Sequence, residues 1–226
     1  SCFNVYSNTY IDLTGVTLIR TSNNSMIRFG RGNDVKNISG YNGFKNITMC
    51  DISGILGKES QNLNWMQKRM VEVTNLDGKK GTLADALNGA DIFVGVSAPN
   101  IVTKEMVASM NKDAILFAMA NPVPEIMPDL AKAAGAKVVG TGRSDFPNQV
   151  NNVVAFPGIF KGALKAGATC INDAMKEAAV YAISSMVTED MLDSEHIIVS
   201  ALDPRVADVV AQAVADAARE SGVVRE

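Results

Sequence analysis

The sequence predicts an α/β fold, a mostly parallel sheet flanked by helices. Apolar runs without polar alternation, at residues 92–96 and 114–118, are typical of strands that are covered on both faces, and residues 137–140 are a further strand candidate. Segments with helix-capping residues lie between these runs. Ser97, Asn121 and Gly140, which favour turns over further strand, stand at or shortly after the ends of these segments. Strands that alternate with helices in this way predict parallel pairing.

Composition limits the classes of function. The 226 residues are 47% hydrophobic, enough for a substantial core, and their net charge of −3 argues against nucleic acid or an anionic membrane as partner. We expect a soluble protein, because no apolar run reaches the roughly 20 residues of a membrane span. Cys2, Cys50 and Cys170 predict neither a disulfide framework nor a zinc site, which indicates a reducing cytoplasm. The single histidine, His196, excludes multi-histidine metal sites and is expected to be structural.

Residues 1–43 differ from the rest, since they are rich in Asn, Ser, Thr and Gly and lack a helical apolar stripe. Strand candidates lie at residues 3–6, 16–19 and 26–29. Gly30 and Gly32 then resemble the start of the G-x-G-x-x-G dinucleotide motif, but Val35 replaces its third glycine. Poor helix formers follow, so a surface turn is favoured over a phosphate loop, and the first βα unit is expected to be atypical.

Asp51 follows a strand candidate at residues 46–50, about 20 residues after Gly30, where Rossmann folds place the acidic residue that binds the adenosine ribose. Such a carboxylate repels a 2′-phosphate and favours NAD over NADP. Alternatively, Asp51 caps a turn with Ser53 and Gly54. With the strand pattern downstream, this predicts a Rossmann-like, doubly wound sheet.

Helices are predicted at residues 62–70, from the N-cap Thr82 to Gly89, and from the N-cap Thr103. The strand at residues 92–96 ends in small residues, which would let a flat ligand lie against the backbone, while Ser97 donates one hydrogen bond. The next strand delivers Asn121 to the carboxyl edge of the sheet, where ligands of such folds bind. Asn121 alternatively closes its own turn. Pro122 and Pro124 end the strand, and Glu125 is expected to start the next helix.

The polar segment 141–152 predicts a functional loop. Its last two residues, Asn151 and Asn152, could fix a small carboxylate or carboxamide, or could bond locally within a turn. Beyond it we expect helices from residue 159 and over 171–186, and an edge strand at 197–199. A final helix has Asp203 as N-cap and Pro204 in its first position; its apolar stripe serves packing or a dimer contact.

Four segments, at residues 95–99, 118–125, 140–152 and 155–160, together closely resemble the NAD-binding domain of bacterial malic enzymes. The resemblance implies that Asp51 meets the adenosine ribose, and that Gly95, Val96, Ser97, Ala98 and Pro99 lie along the dinucleotide. It further implies that Asn121, with one or both of Asn151 and Asn152, reaches nicotinamide and malate. The implied reaction is oxidative decarboxylation of malate to pyruvate and CO₂ with NAD and Mg²⁺ or Mn²⁺, in a full-length enzyme that forms a homodimer.

The resemblance covers residues 46–226, and the sequence pattern becomes regular at Phe44. We therefore divide the chain into an atypical segment that does not match the family, 1–43, and an NAD-binding domain, 44–226. The metal-binding carboxylates and the Lys and Tyr that serve as base and acid in the family lie upstream of this domain. The chain alone is therefore expected to be inactive. Two alternatives stay open: a non-catalytic α/β fragment with an incomplete cofactor site, and the NAD-binding domain of another dehydrogenase.

Overall fold

A computed structural model describes residues 47–72 and 74–225, together with four short strands nearer the N-terminus. These strands form two antiparallel pairs: β1 (Val5–Tyr6) with β2 (Tyr10–Ile11), and β3 (Thr17–Arg20) with β4 (Ile27–Gly30). β1, β3 and β4 overlap the three strand candidates of the sequence.

A three-stranded parallel sheet organises the described part of the chain. Its strands β7 (Ile92–Gly95), β8 (Ile115–Ala118) and β9 (Val138–Thr141) lie in sequence order, with Ile92 opposite Ile115 and Ile115 opposite Val138. Helices α3 (Lys104–Ala108) and α4 (Pro128–Ala133) connect them. The two helices contact each other, as is expected when successive right-handed crossovers run in one direction along a sheet. The predicted α/β class is confirmed.

The core of this layer forms between the sheet and its helices. Phe93, Leu116 and Val139 from successive strands pack against residues of α3, α4 and the short helix α2 (Leu83–Leu87). Thr82 and Thr103 cap α2 and α3 as the sequence predicts, each accepting a hydrogen bond from a backbone N–H of the first turn.

The segment around Asp51 differs from the prediction. Residues 47–49 of the predicted strand 46–50 are not in a strand. The structure instead has a short antiparallel hairpin of β5 (Cys50–Asp51) and β6 (Gly54–Ile55), outside the parallel sheet. Gly54 has φ +105°, and a Cβ there would lie 2.4 Å from the carbonyl oxygen of Gly81. The Ile55 N–H donates to that same oxygen at 2.9 Å. Glycine at this position therefore lets the chain reverse against the segment that precedes α2. Helix α1 (Trp65–Met70) follows, capped by Asn64.

Three helices and a 3₁₀ turn at Asn152–Val154 form a second packed layer with its own apolar core. They are α5 (Phe156–Ala166), α6 (Asp173–Ser185) and α7 (Val206–Glu220). α5 begins earlier than predicted. It approaches α7 closely because Gly158 and Gly162 face that helix; a Cβ on Gly162 would lie 2.5 Å from the carbonyl oxygen of Ala211. Within the described residues, no helix combines the length and apolar character needed to cross a membrane.

Two C-terminal predictions are wrong. α7 starts at Val206 rather than at Pro204, because the Asp203 carboxylate accepts hydrogen bonds from the backbone N–H and guanidinium of Arg205 and closes a turn before the helix. Residues 197–199 form no strand, and the Ile197 N–H donates instead to the side-chain oxygen of Asn148 at 2.9 Å. His196 is exposed, 3.0 Å from the Asp193 carboxylate.

The close α5–α7 contact predicts that Gly162→Ala destabilises the protein. The added methyl would meet the backbone at Ala211, and such overpacking typically costs about 1–3 kcal/mol. Urea denaturation measures the change. Gly142→Ala is the matched control, because its Cβ would find its nearest neighbour at 3.9 Å. Equal stability of the two variants would contradict the described contact.

The Asp203–Arg205 pair predicts a pH-dependent stability. Hydrogen bonds from Arg205 lower the pKa of Asp203 from 3.8 to about 2. The folded state therefore favours the charged form, and the stabilisation is present above pH 3.8 and lost as the pH falls toward 2. Thermal melts of the wild type and Asp203→Asn should differ most near neutral pH and converge on acidification. Arg205→Gln keeps the backbone N–H donor and should therefore reduce the gap without abolishing it. A gap that is independent of pH, or one that is undiminished in the Arg205→Gln background, would exclude this origin.

Candidate functional site

The candidate site lies at the carboxyl edge of the parallel sheet. Gly95, Ala118 and Thr141, the last residues of the three strands, are aligned in register. The turns that follow β7 and β8 bond to each other: the Asn100 N–H donates to Pro124 O at 3.1 Å, and the Val102 N–H to Glu125 O at 3.0 Å. Ligands of parallel α/β sheets bind at this edge.

Glu125 holds the two turns together through a fully buried carboxylate. One of its oxygens, Oε1, accepts from the Ser97 N–H at 2.7 Å and from the Ser97 hydroxyl at 2.9 Å. The other, Oε2, accepts from the Ala120 N–H at 3.0 Å. A Cβ on Gly95 would lie 2.6 Å from the Glu125 carboxyl carbon, so the glycine makes room for this group. Two of the three donors are backbone N–H groups, and they belong to the β7 and β8 turns.

This arrangement corrects two expectations. Glu125 does not start a helix, because α4 begins at Pro128 and the carboxylate points into the protein. Ser97 directs its hydroxyl to Glu125 rather than to a ligand. The sequence did contain a signal that we missed: Glu125 stands between Pro124 and Ile126 in a run that is otherwise apolar, and such a position indicates a buried carboxylate with fixed partners. Gly95 is buried, whereas Ala98 and Pro99 are exposed.

Asn121 occupies the exposed tip of the β8 turn. Its neighbours on both sides are held: the Ala120 N–H donates to Glu125, and Pro122 O accepts a hydrogen bond at 3.3 Å from Nη1 of Arg143. The β8 turn that carries Asn121 is thus tied to the β7 turn through Glu125, and the role of the Asn121 amide in binding stays a prediction.

The loop after β9 is held by Arg143. Its guanidinium donates to both carboxylate oxygens of Asp145, at 2.9 and 2.7 Å, and lies 5.6 Å from the centre of the Phe146 ring. This pairing lowers the pKa of Asp145 and raises that of Arg143. The Arg143 N–H also donates to the hydroxyl of Thr141, which is fully buried. The loop is thus fixed to the end of β9 and to the β8 turn.

The amides at the end of this loop have different roles. Asn148 is buried and structural: it donates to Val139 O at 3.2 Å and Ser194 O at 2.8 Å, and accepts from Ile197 N–H. Asn151 is exposed and accepts from Val153 N–H at 3.1 Å, which is the local turn bonding considered as an alternative. Asn152 is exposed and lies inside the 3₁₀ turn.

Asp51 is exposed, and three donors already hold it. Oδ1 accepts from the Ser53 N–H at 2.8 Å and from the Ser53 hydroxyl at 2.6 Å, and Oδ2 accepts from the Gln67 amide at 2.9 Å. The turn-capping alternative is therefore realised in this structure. A carboxylate accepts about four hydrogen bonds, so Oδ2 can still accept from a hydroxyl.

Of the two glycines of the suggested phosphate loop, the structure describes only Gly30, which lies outside the parallel sheet. Gly30 ends β4 in an antiparallel pair, and Gly32 lies outside the described residues. The described residues also contain no group of three or more His, Cys, Asp or Glu side chains that could hold a metal ion. They do not fit a divalent cation by themselves.

Comparisons with known proteins give a consistent answer. Residues 31–219 match the family model for the malic enzyme NAD-binding domain. The chain is 56% identical over 184 residues to a bifunctional malic/malolactic enzyme of Bacillus subtilis, covering 81% of this chain and 45% of that protein. It is 48% identical over 184 residues to an NAD-dependent malic enzyme of Geobacillus stearothermophilus, covering 81% of this chain and 38% of that protein. The chain thus spans less than half the length of these relatives.

Solved structures agree with the sequence matches. The crystal structure of the Entamoeba histolytica malic enzyme superposes with a TM-score of 0.74 at 40% sequence identity. The superposition covers 80% of this chain and 39% of that one.

The burial of Glu125 predicts that Glu125→Gln destabilises the protein by about 1–3 kcal/mol. If the glutamine oxygen accepts from Ser97, the NH₂ group faces the Ala120 N–H, and that donor is left without an acceptor. Chemical denaturation measures the loss. Glu189→Gln, a change of the same kind at an exposed turn, is the control. A Glu125→Gln protein as stable as the control would show that the carboxylate does not hold the turns.

Proposed function

The chain belongs to the malic enzyme family, as its NAD-binding domain, and on that premise we propose that it binds NAD for the oxidative decarboxylation of malate to pyruvate and CO₂. The observation that carries the proposal is the edge of the sheet where Glu125 fixes the β7 turn beside the Asn121 turn. Such an edge is where parallel α/β folds bind dinucleotides.

The proposed placement of NAD uses groups that are accessible. Asp51 receives a hydroxyl of the adenosine ribose through Oδ2, and its charge favours NAD over NADP. Residues 95–99 lie along the dinucleotide, where small side chains let the ligand approach the backbone. Asn121 contacts nicotinamide and malate with its amide, and Asn151 and Asn152 contribute to the malate site.

NAD supplies the acceptor for the hydride that leaves malate. The residues of this chain contribute binding and orientation: a rigid turn presents Asn121, and backbone N–H groups committed to Glu125 keep that turn in place. Removal of the proton from the malate hydroxyl requires a base, and the metal of the family requires ligands. We assign the base and the metal ligands to the part of the relatives that lies beyond the matched region. We therefore expect the chain alone to be almost inactive.

Further features belong to the same proposal. We place the protein in the cytoplasm, in keeping with the free thiols of Cys50 and Cys170. Malate and pyruvate are the small-molecule partners, and the full-length enzyme is a homodimer. The boundary at residue 43 stays a prediction, as does the use of Gly30 and Gly32 by the cofactor.

One observation favours a second candidate, a non-catalytic fragment whose cofactor site is incomplete. Gly30 lies in an antiparallel pair rather than at the end of a strand of the parallel sheet, so the described residues show no glycine turn beneath a helix for the pyrophosphate. Calorimetric titration with NAD separates the two functions.

Titration of the wild-type chain with NAD should give saturable binding to one site. Asp51→Asn should weaken NAD affinity about tenfold, because a charged hydrogen bond to the ribose is lost. Asp216→Asn is the matched control, since Asp216 is also exposed and also accepts from a glutamine, Gln212, at 2.8 Å. Absence of binding by the wild type would favour the second candidate.

Turnover should be negligible when the chain is mixed with malate, NAD and Mn²⁺ and NADH absorbance is followed. The physical reason is that the described residues lack a metal-binding cluster. Rapid NADH formation by the purified chain would contradict the assignment of base and metal to another part of the enzyme.

A further inference from the structure

Asn121 lies between two fixed backbone groups. On one side, the Ala120 N–H donates to the buried Glu125 carboxylate at 3.0 Å. On the other, Pro122 O accepts from Nη1 of Arg143 at 3.3 Å. Glu125 belongs to the same turn, but Arg143 comes from the loop after β9. The position of the Asn121 amide therefore depends on a contact between two strand ends.

Arg143 is suited to this contact because its side chain is already ordered. Asp145 binds the Nε and Nη2 atoms as a two-pronged pair, and the Phe146 ring lies beneath the guanidinium. The main chain of Arg143 is fixed separately, by the hydroxyl of Thr141. The contact between Nη1 and the Pro122 carbonyl therefore costs little additional side-chain conformational entropy.

We propose that Arg143 is a positioning residue that holds the Asn121–Pro122 turn for the nicotinamide half of the dinucleotide. The inference rests on the proposed function, in which Asn121 contacts nicotinamide and Asp51 the adenosine ribose. Arg143 acts through the turn and not as a free cation, because its charge is matched by Asp145.

The two halves of the ligand allow a selective test. ADP-ribose contains both riboses and the pyrophosphate but lacks the nicotinamide ring, so the difference between NAD and ADP-ribose affinity reports on contacts with that ring. Calorimetry with NAD and with ADP-ribose is applied to the wild type, Arg143→Gln, Arg143→Lys and Asp145→Asn. Arg205→Gln is the matched control, since Arg205 also forms a two-pronged pair with an aspartate two residues away, Asp203, at an exposed site.

We expect Arg143→Gln to weaken NAD binding about tenfold, the loss typical of a charged hydrogen bond, with no change for ADP-ribose. Arg143→Lys, which keeps the charge and can reach one carbonyl, should recover part of the loss. Asp145→Asn should reduce NAD affinity less than Arg143→Gln, because the guanidinium remains. Arg205→Gln should change neither ligand.

Four outcomes overturn the inference. Equal losses for NAD and ADP-ribose in Arg143→Gln would indicate a general structural role, and no loss for either would remove the role entirely. If the wild type bound both ligands with equal affinity, the nicotinamide ring would contribute nothing to binding through this turn. The proposal that the chain binds NAD would be unaffected. A wild type that binds neither ligand would overturn the proposed function and this inference with it.

Discussion

A single buried carboxylate determines the geometry of the sheet edge. Taking Glu125 out of water is unfavourable by several kcal/mol unless hydrogen bonds compensate it, roughly as for any buried ion. Here Ser97 supplies an N–H and a hydroxyl, and Ala120 supplies an N–H. These donors satisfy the charge only if the β7 and β8 turns lie together. The need of the buried carboxylate for these hydrogen bonds therefore fixes the position of the two turns relative to each other.

The consequences extend along the edge. Because Gly95 has no Cβ, the carboxylate fits directly under the end of β7. The hydrogen bond of the Ala120 N–H to Glu125 fixes the residue before Asn121. The hydrogen bond from Arg143 to Pro122 O fixes the residue after it and connects this turn to the loop after β9. Asn148 anchors the far end of that loop to the segment before Ile197, and so connects the sheet layer with the C-terminal helices. A preorganised edge of this kind lowers the entropy lost when a dinucleotide binds.

The sequence predicted what local patterns determine and missed what distant contacts determine. The three parallel strands follow from their apolar runs, and the caps Thr82 and Thr103 from preferences that act within one helical turn. The role of Glu125 could not be read in the same way, because Ser97 is 28 residues away. The hairpin at Asp51 depends likewise on space beside Gly81. Residues 95–99 and Asn121 follow the ends of β7 and β8, which the apolar runs predicted. Their contacts with NAD and malate, and those of Asn151, stay predictions.

Solution NMR tests the central claim most directly, through the amide protons of Ser97 and Ala120. If the Glu125 carboxylate accepts from both, the two amides exchange slowly with solvent, and each shows a coupling across the hydrogen bond to the carboxyl carbon of Glu125. Fast exchange of both amides, at the rate of a fully exposed turn residue such as Ile52, would contradict a Glu125-centred edge and the NAD site proposed on it.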